Sequence, residues 1–151
     1  MSRVGGPSLQ EELTPGGRCF GCGPANEDGL QLRSYRQDDG SVVATITPEP
    51  SHEAGAPGVL CGGIVGTLLD CHAGITAAVS LGPWSPDEEL LVLTKEYTVR
   101  LKGITPIASL ALTARAVEHD HRRATVHATI QHDGQVTAEF EGIFVAPNRP
   151  R

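Results

Sequence analysis

Apolar and polar positions along the chain fall into two kinds of repeat. From Gly62 to about Ser80, Ile64, Leu68, Cys71, Ile75 and Val79 recur four, three, four and four residues apart, which is one stripe of an α-helix. A second face of the same helix carries Gly66, Asp70, Ala73, Gly74 and Ala77. Four of these five are small and Asp70 is the one charge. Elsewhere the period is two. Leu91, Leu93, Tyr97, Val99 and Leu101 alternate with polar residues. So do Leu110, Leu112, Ala114 and Ala116, then Ala124, Val126, Ala128 and Ile130, then Val136, Ala138, Phe140, Gly142 and Phe144. Such alternation predicts antiparallel strands with one wet face. A hairpin is expected earlier, with Leu30 to Arg36 and Ser41 to Thr47 flanking the turn Asp38-Asp39-Gly40. One long apolar helix needs covering, and five or six strands offer one apolar face. The economical arrangement is an α+β fold with an antiparallel sheet wrapped around a central helix.

Punctuation sets the boundaries. Residues 1–17 are rich in Gly, Pro and charge and are expected to form a flexible arm, 18–146 a single domain, and 147–151 a short tail. The chain has 151 residues, 39% of them hydrophobic, enough for one core. Its net charge of -6 disfavours a nucleic-acid or anionic-membrane surface. The apolar run Val59 to Leu69 stops at Asp70 and is too short for a bilayer, so no membrane partner is expected. The four cysteines, 19, 22, 61 and 71, are read as reduced thiols of a cytoplasmic protein.

Chemistry concentrates between Ser51 and Ser80. Gly62 and Gly63 open the helix, where the first amides lack intrahelical partners and carry the positive end of the dipole. A ligand oxygen could reach them, as in an oxyanion hole. Asp70 lies two turns on, roughly 12 Å along the axis at 1.5 Å per residue. That is too far for both to serve one carbonyl. If both are catalytic, the helix start of one subunit must meet Asp70 of another, which predicts a two-fold dimer with two shared sites. Cys61, at the helix start, is read as a small filler, with a nucleophile based by His52 or His72 as the sharper alternative. Cys19-x-x-Cys22 has the spacing of half a zinc knuckle. No second pair has matching spacing, so it is read as a tight turn and no metal is expected.

The string CGGIVGTLLDCHAG resembles the HGG-x₆-D segment of hotdog-fold acyl-CoA thioesterases, especially the phenylacetate-degradation (PaaI-like) type. CFGCGPANEDGLQL is similar to the lead-in of many members. TKEYTVRLKGITPI, RRATVHATI and TAEFEGIFV are similar to the last strands, so the resemblance covers about residues 18–146. It implies a hotdog fold, a homodimer or dimer of dimers, and an acyl-CoA substrate. Asp70 matches the catalytic carboxylate and Gly62 the glycine whose amide polarises the thioester carbonyl. Thr94 matches a strand Ser/Thr that holds the attacking water, and His52 a polar residue near the thioester. Gly63 and Cys61 flank the carbonyl site, and Cys61 stands where the motif has His. Arg122 and Arg123 would meet the phosphates of CoA. No cofactor is implied. The alternatives are a non-catalytic acyl-CoA binder or sensor, and a hotdog hydratase or dehydratase.

Overall fold

A computed structural model describes residues 5–151. In chain order the elements are α1 (Leu9–Leu13), β1 (Tyr35–Arg36), β2 (Val42–Ile46), a 3₁₀ turn (Pro50–His52), α2 (Gly62–Leu81), β3 (Leu93–Leu101), β4 (Leu110–His119), β5 (Arg123–His132) and β6 (Gln135–Val145). The strands form one antiparallel sheet in the order β1-β2-β4-β5-β6-β3. Helix α2 lies across its concave face, mainly on β4 and β5. Two left-handed glycines shape the tight reversals, Gly40 (φ 84°) between β1 and β2 and Gly134 (φ 77°) between β5 and β6.

The period-two pattern sets the inner face of the sheet. Leu110, Leu112, Ala114, Ala124, Val126, Ala128, Ile130, Ala138, Phe140 and Phe144 are all buried against Val65, Leu68, Leu69, Ala73 and Ala77 of α2. Small residues on the helix admit close contact. Gly74 lies under the Phe144 ring, where a Cβ would sit 3.5 Å from Cε1. By length and a mean hydropathy of 1.5, α2 could cross a membrane, which the run ending at Asp70 did not suggest. Here it is a core helix, with 61% of its most apolar window buried.

Four expectations change. The arm is docked over part of its length. Ser8 caps α1 in a reciprocal capping box with Glu11, and Leu9 and Gln10 are buried. The first four arm residues lie outside the described residues. Second, Leu30–Ser34 joins no ladder. Gln31 takes a left-handed φ of 58°, and the Leu30 and Leu32 amides bond to the Phe20 and Gly21 carbonyls instead. Third, the single alternation drawn through Leu91–Leu101 breaks at a bulge between Thr94 and Glu96. Thr94 pairs with Phe144, whereas Tyr97, Val99 and Leu101 pair with Gly142, Phe140 and Ala138. The extra residue swaps parity, so Thr94 and Tyr97 share the inner face and Leu93 turns outward. Fourth, the tail is anchored. Arg149 bonds to Glu88 and to the Leu81 and His121 carbonyls, and stacks 4.0 Å over Trp84.

Candidate active site

The site grows from the middle of α2 and the start of β3. Asp70 is half-buried, and its Oδ1 accepts a hydrogen bond of 2.8 Å from Thr94 Oγ1. The β3 bulge makes this contact possible by bringing Thr94 to the helix side of the sheet. Burial raises the Asp70 pKa above the ordinary carboxylate value; the Thr94 bond opposes this, and the Cys19 thiolate nearby adds to it. The pair lines an open cleft of about 250 Å³ whose walls include Ile75, Leu90, Val92 and Phe144. A carboxylate with a positioned hydroxyl in an apolar cleft can take a proton from water or attack an electrophile itself.

Gly62 and Gly63 begin α2 as expected and are both exposed. Cys61 is the N-cap, but its side chain makes no capping bond, and the Ile64 and Val65 amides close on its carbonyl at 2.9 and 3.0 Å. Gly62 lies beside the far end of β3, where a Cβ would be 3.6 Å from Leu101 Cδ1. Asp70 and Gly62 of one chain therefore sit at opposite ends of the same edge strand.

The remaining candidates are spread out. His52 lies in the 3₁₀ turn. Its carbonyl accepts the Cys61 amide at 2.9 Å, and its ring lines a separate cavity of about 420 Å³ with Ile64 and Leu68. His72 cannot serve Cys61 as a base. It is fully buried, with Nδ1 2.8 Å from Ser34 Oγ and Nε2 2.9 Å from the Val42 carbonyl. Arg123 opens β5 and Arg122 precedes it, their amides held by Asp120 Oδ1 at 2.7 and 2.8 Å. Arg123, Val145 and Leu93 form one row across β5, β6 and β3, next to the row Ala124, Phe144, Thr94. With Ala124 buried, Arg123 projects on the outer face, two strands or roughly 10 Å from Leu93.

One grouping escaped the sequence reading. The tight turn at Cys19–Cys22 exists, but it sits on α2, and the Cys19, Cys22 and Cys71 sulfurs all lie within 4.8 Å of one another. The Cys19 and Cys71 sulfurs are 3.6 Å apart. All three residues line the Asp70 cleft. The signal was present as one Cys pair plus a lone Cys beside Asp70. Spacing along the chain could not join them.

No family profile and no curated protein matches the sequence. Solved structures do. A thioesterase-superfamily protein is 30% identical, with a TM-score of 0.66, covering 82% of this chain; the chain spans 60% of that protein's length. A phenylacetic acid degradation-related protein from Ralstonia eutropha is 16% identical at a TM-score of 0.71, covering 92% of this chain and 99% of its own. A Bacillus halodurans protein solved with CoA is 22% identical at 0.65, covering 81% and 77%. The architecture built above, six antiparallel strands around one long helix, is the hotdog fold. The chain therefore has the hotdog fold, and its 30% identical neighbour is a thioesterase-superfamily protein.

Proposed function

We propose that the chain hydrolyses an acyl-CoA thioester to the free acid and CoA. The observation that carries this reading is the Asp70–Thr94 contact, a half-buried carboxylate bonded at 2.8 Å to a strand hydroxyl inside an apolar cleft. Asp70 acts as general base toward water or as the nucleophile, and Thr94 orients the reacting oxygen. The oxyanion is taken up by the Gly62 amide at a helix start, with Gly63 and Cys61 beside it and His52 close by.

The second copy enters through β3. This is the longer of the sheet's two edge strands, and Leu93, Tyr97 and Leu101 are about half exposed in the single chain. A nine-residue edge strand with three large, exposed apolar side chains invites pairing. Antiparallel pairing with the β3 of another copy sets the Leu101 end of one strand beside the Thr94 end of the other. Those ends are seven residues, roughly 23 Å, apart within one chain. The helix start of one subunit then meets Asp70 of its partner, and each site combines two chains. CoA phosphates fall to Arg123 on the outer face and to Arg122 in the turn before it. CoA in the Bacillus halodurans relative supports this class of substrate.

Among the described residues of one chain, those lining the Asp70 cleft include no histidine, so a hydratase's acid–histidine pair would need His52 from the second copy. The test is thiol release over a panel of short, medium and aromatic acyl-CoAs. Turnover abolished in Asp70→Asn, with acyl-CoA binding retained, is expected. Tight binding of acyl-CoA with no turnover in the wild type would refute hydrolysis and make the chain a binder.

A further inference from the structure

Three of the four cysteines converge where the N-terminal loop meets α2. Cys19 is exposed, and Cys22 and Cys71 are half-buried. Two glycines create the meeting point. A Cβ on Gly21 would lie 2.2 Å from Cys71 Sγ, so the loop is seated directly on that sulfur. A Cβ on Gly23 would lie 2.3 Å from the Cys19 nitrogen, so the loop could not close its turn with a larger residue there. The loop backbone and the helix thus place three soft donors around one point.

We propose that Cys19, Cys22 and Cys71 form a three-thiolate site for a divalent ion of the zinc class, with its fourth position open to the cleft. Four donors about 2.3 Å from zinc in a tetrahedron lie about 3.8 Å from each other. The Cys19–Cys71 separation is 3.6 Å, and every pair in the cluster is within 4.8 Å. A disulfide fits less well. It needs its sulfurs at about 2.05 Å and would leave one of three convergent thiols over.

The surroundings suit an anionic thiolate cluster. The Gly21 and Cys22 amides face the Cys19 sulfur and suit a negative charge there. Uptake by three thiols balances as M²⁺ + 3 RSH → [M(SR)₃]⁻ + 3 H⁺, with water in the fourth place. Arg33, which donates to the Cys22 carbonyl at 3.3 Å, lies beside the resulting negative charge. A bound ion would pin the 19–32 loop to α2 at the residue after Asp70. The site stands whether or not the chain hydrolyses a thioester.

The experiment uses the full chain, metal-stripped and reduced with a phosphine, titrated with Zn²⁺ and separately with Co²⁺. One ion per chain is expected, with thiolate-to-cobalt charge transfer, release of protons on uptake, and protection of three of the four thiols from alkylation. Cys71→Ser and Cys19→Ser should each weaken binding on the order of 100-fold or more. Cys61→Ser should leave it unchanged. If Cys71→Ser fails to fold by circular dichroism, Cys19→Ser and the wild-type titration decide. Uptake below one equivalent without charge transfer would overturn the site. So would a Cys19–Cys71 disulfide in the air-oxidised protein whose reduced form takes no metal.

Discussion

His72 makes the sharpest prediction because its surroundings fix its protonation state. It is fully buried two residues after Asp70. The Val42 carbonyl can only accept, so Nε2 carries the ring proton and donates to it at 2.9 Å. Nδ1 therefore accepts from the Ser34 hydroxyl at 2.8 Å, and Ser34 Oγ accepts from Gln10 Nε2 at 3.0 Å. A second proton on the ring would face a hydroxyl already committed to donating. Burial holds the pKa down at about 4 from an ordinary 6.5. Between those pH values the unfolded chain binds a proton that the folded chain refuses. Stability is therefore full above pH 6.5, falls as pH drops, and levels off near pH 4. At roughly 1.4 kcal/mol per pH unit, the loss from this one residue is about 3 kcal/mol. The perturbation is His72→Gln, which removes the titration at similar size. In urea melts at pH 7 the variant should be the less stable, since it leaves part of the Gln10–Ser34 network unpaired. By pH 4 the gap should narrow by about 3 kcal/mol. A gap that stays constant from pH 7 to 4, or a His72 ring resonance titrating near 6.5, would refute the reasoning.

Four further outcomes follow from the site. Asp70 is raised by burial, so its charge destabilises the fold once pH exceeds its folded pKa; Asp70→Asn should melt above wild type at pH 7 and converge with it in acid, and a lower melt at pH 7 would contradict the burial argument. Thr94→Val removes the bond that lowers the Asp70 pKa, so the acid limb of kcat/KM should move to higher pH, and an unmoved limb would sever Thr94 from the acid. Leu101→Glu charges the apolar edge of β3 and should give monomers without thioesterase activity by sedimentation and thiol release. Mixing Asp70→Asn with a helix-start variant such as Gly62→Pro, each inactive alone, should restore part of the activity if sites are shared; no recovery would place the site within one chain.

Much of the fold was legible because burial writes a period into the chain. The alternations over β4, β5 and β6 and the helical stripe after Gly62 name the buried faces with few errors. The errors fall where one residue overrides the period. At the β3 bulge, pairing with β6 inserts an extra residue and turns Thr94 inward. At Gln31, a left-handed backbone ends a strand before it can pair. Around Ser8, a capping box and two buried residues turn a polar arm into a docked helix. Asp70 was visible as one charge on a small, apolar helix face, and its Thr94 partner only through a family resemblance.

Composition and periodicity by themselves determined the layers: which residues face inward, that one helix is wrapped by one sheet, and that a single acid rides on that helix. Those are local properties, since each residue's burial repeats with the geometry of its own element. Tertiary structure alone decided the meetings between distant segments. It set Thr94 against Asp70, locked His72 between Ser34 and Val42, and brought Cys71 to the Cys19–Cys22 turn. Such contacts depend on register, bulges and the close approach that Gly21 and Gly74 permit. No periodicity within one segment encodes where another segment will lie.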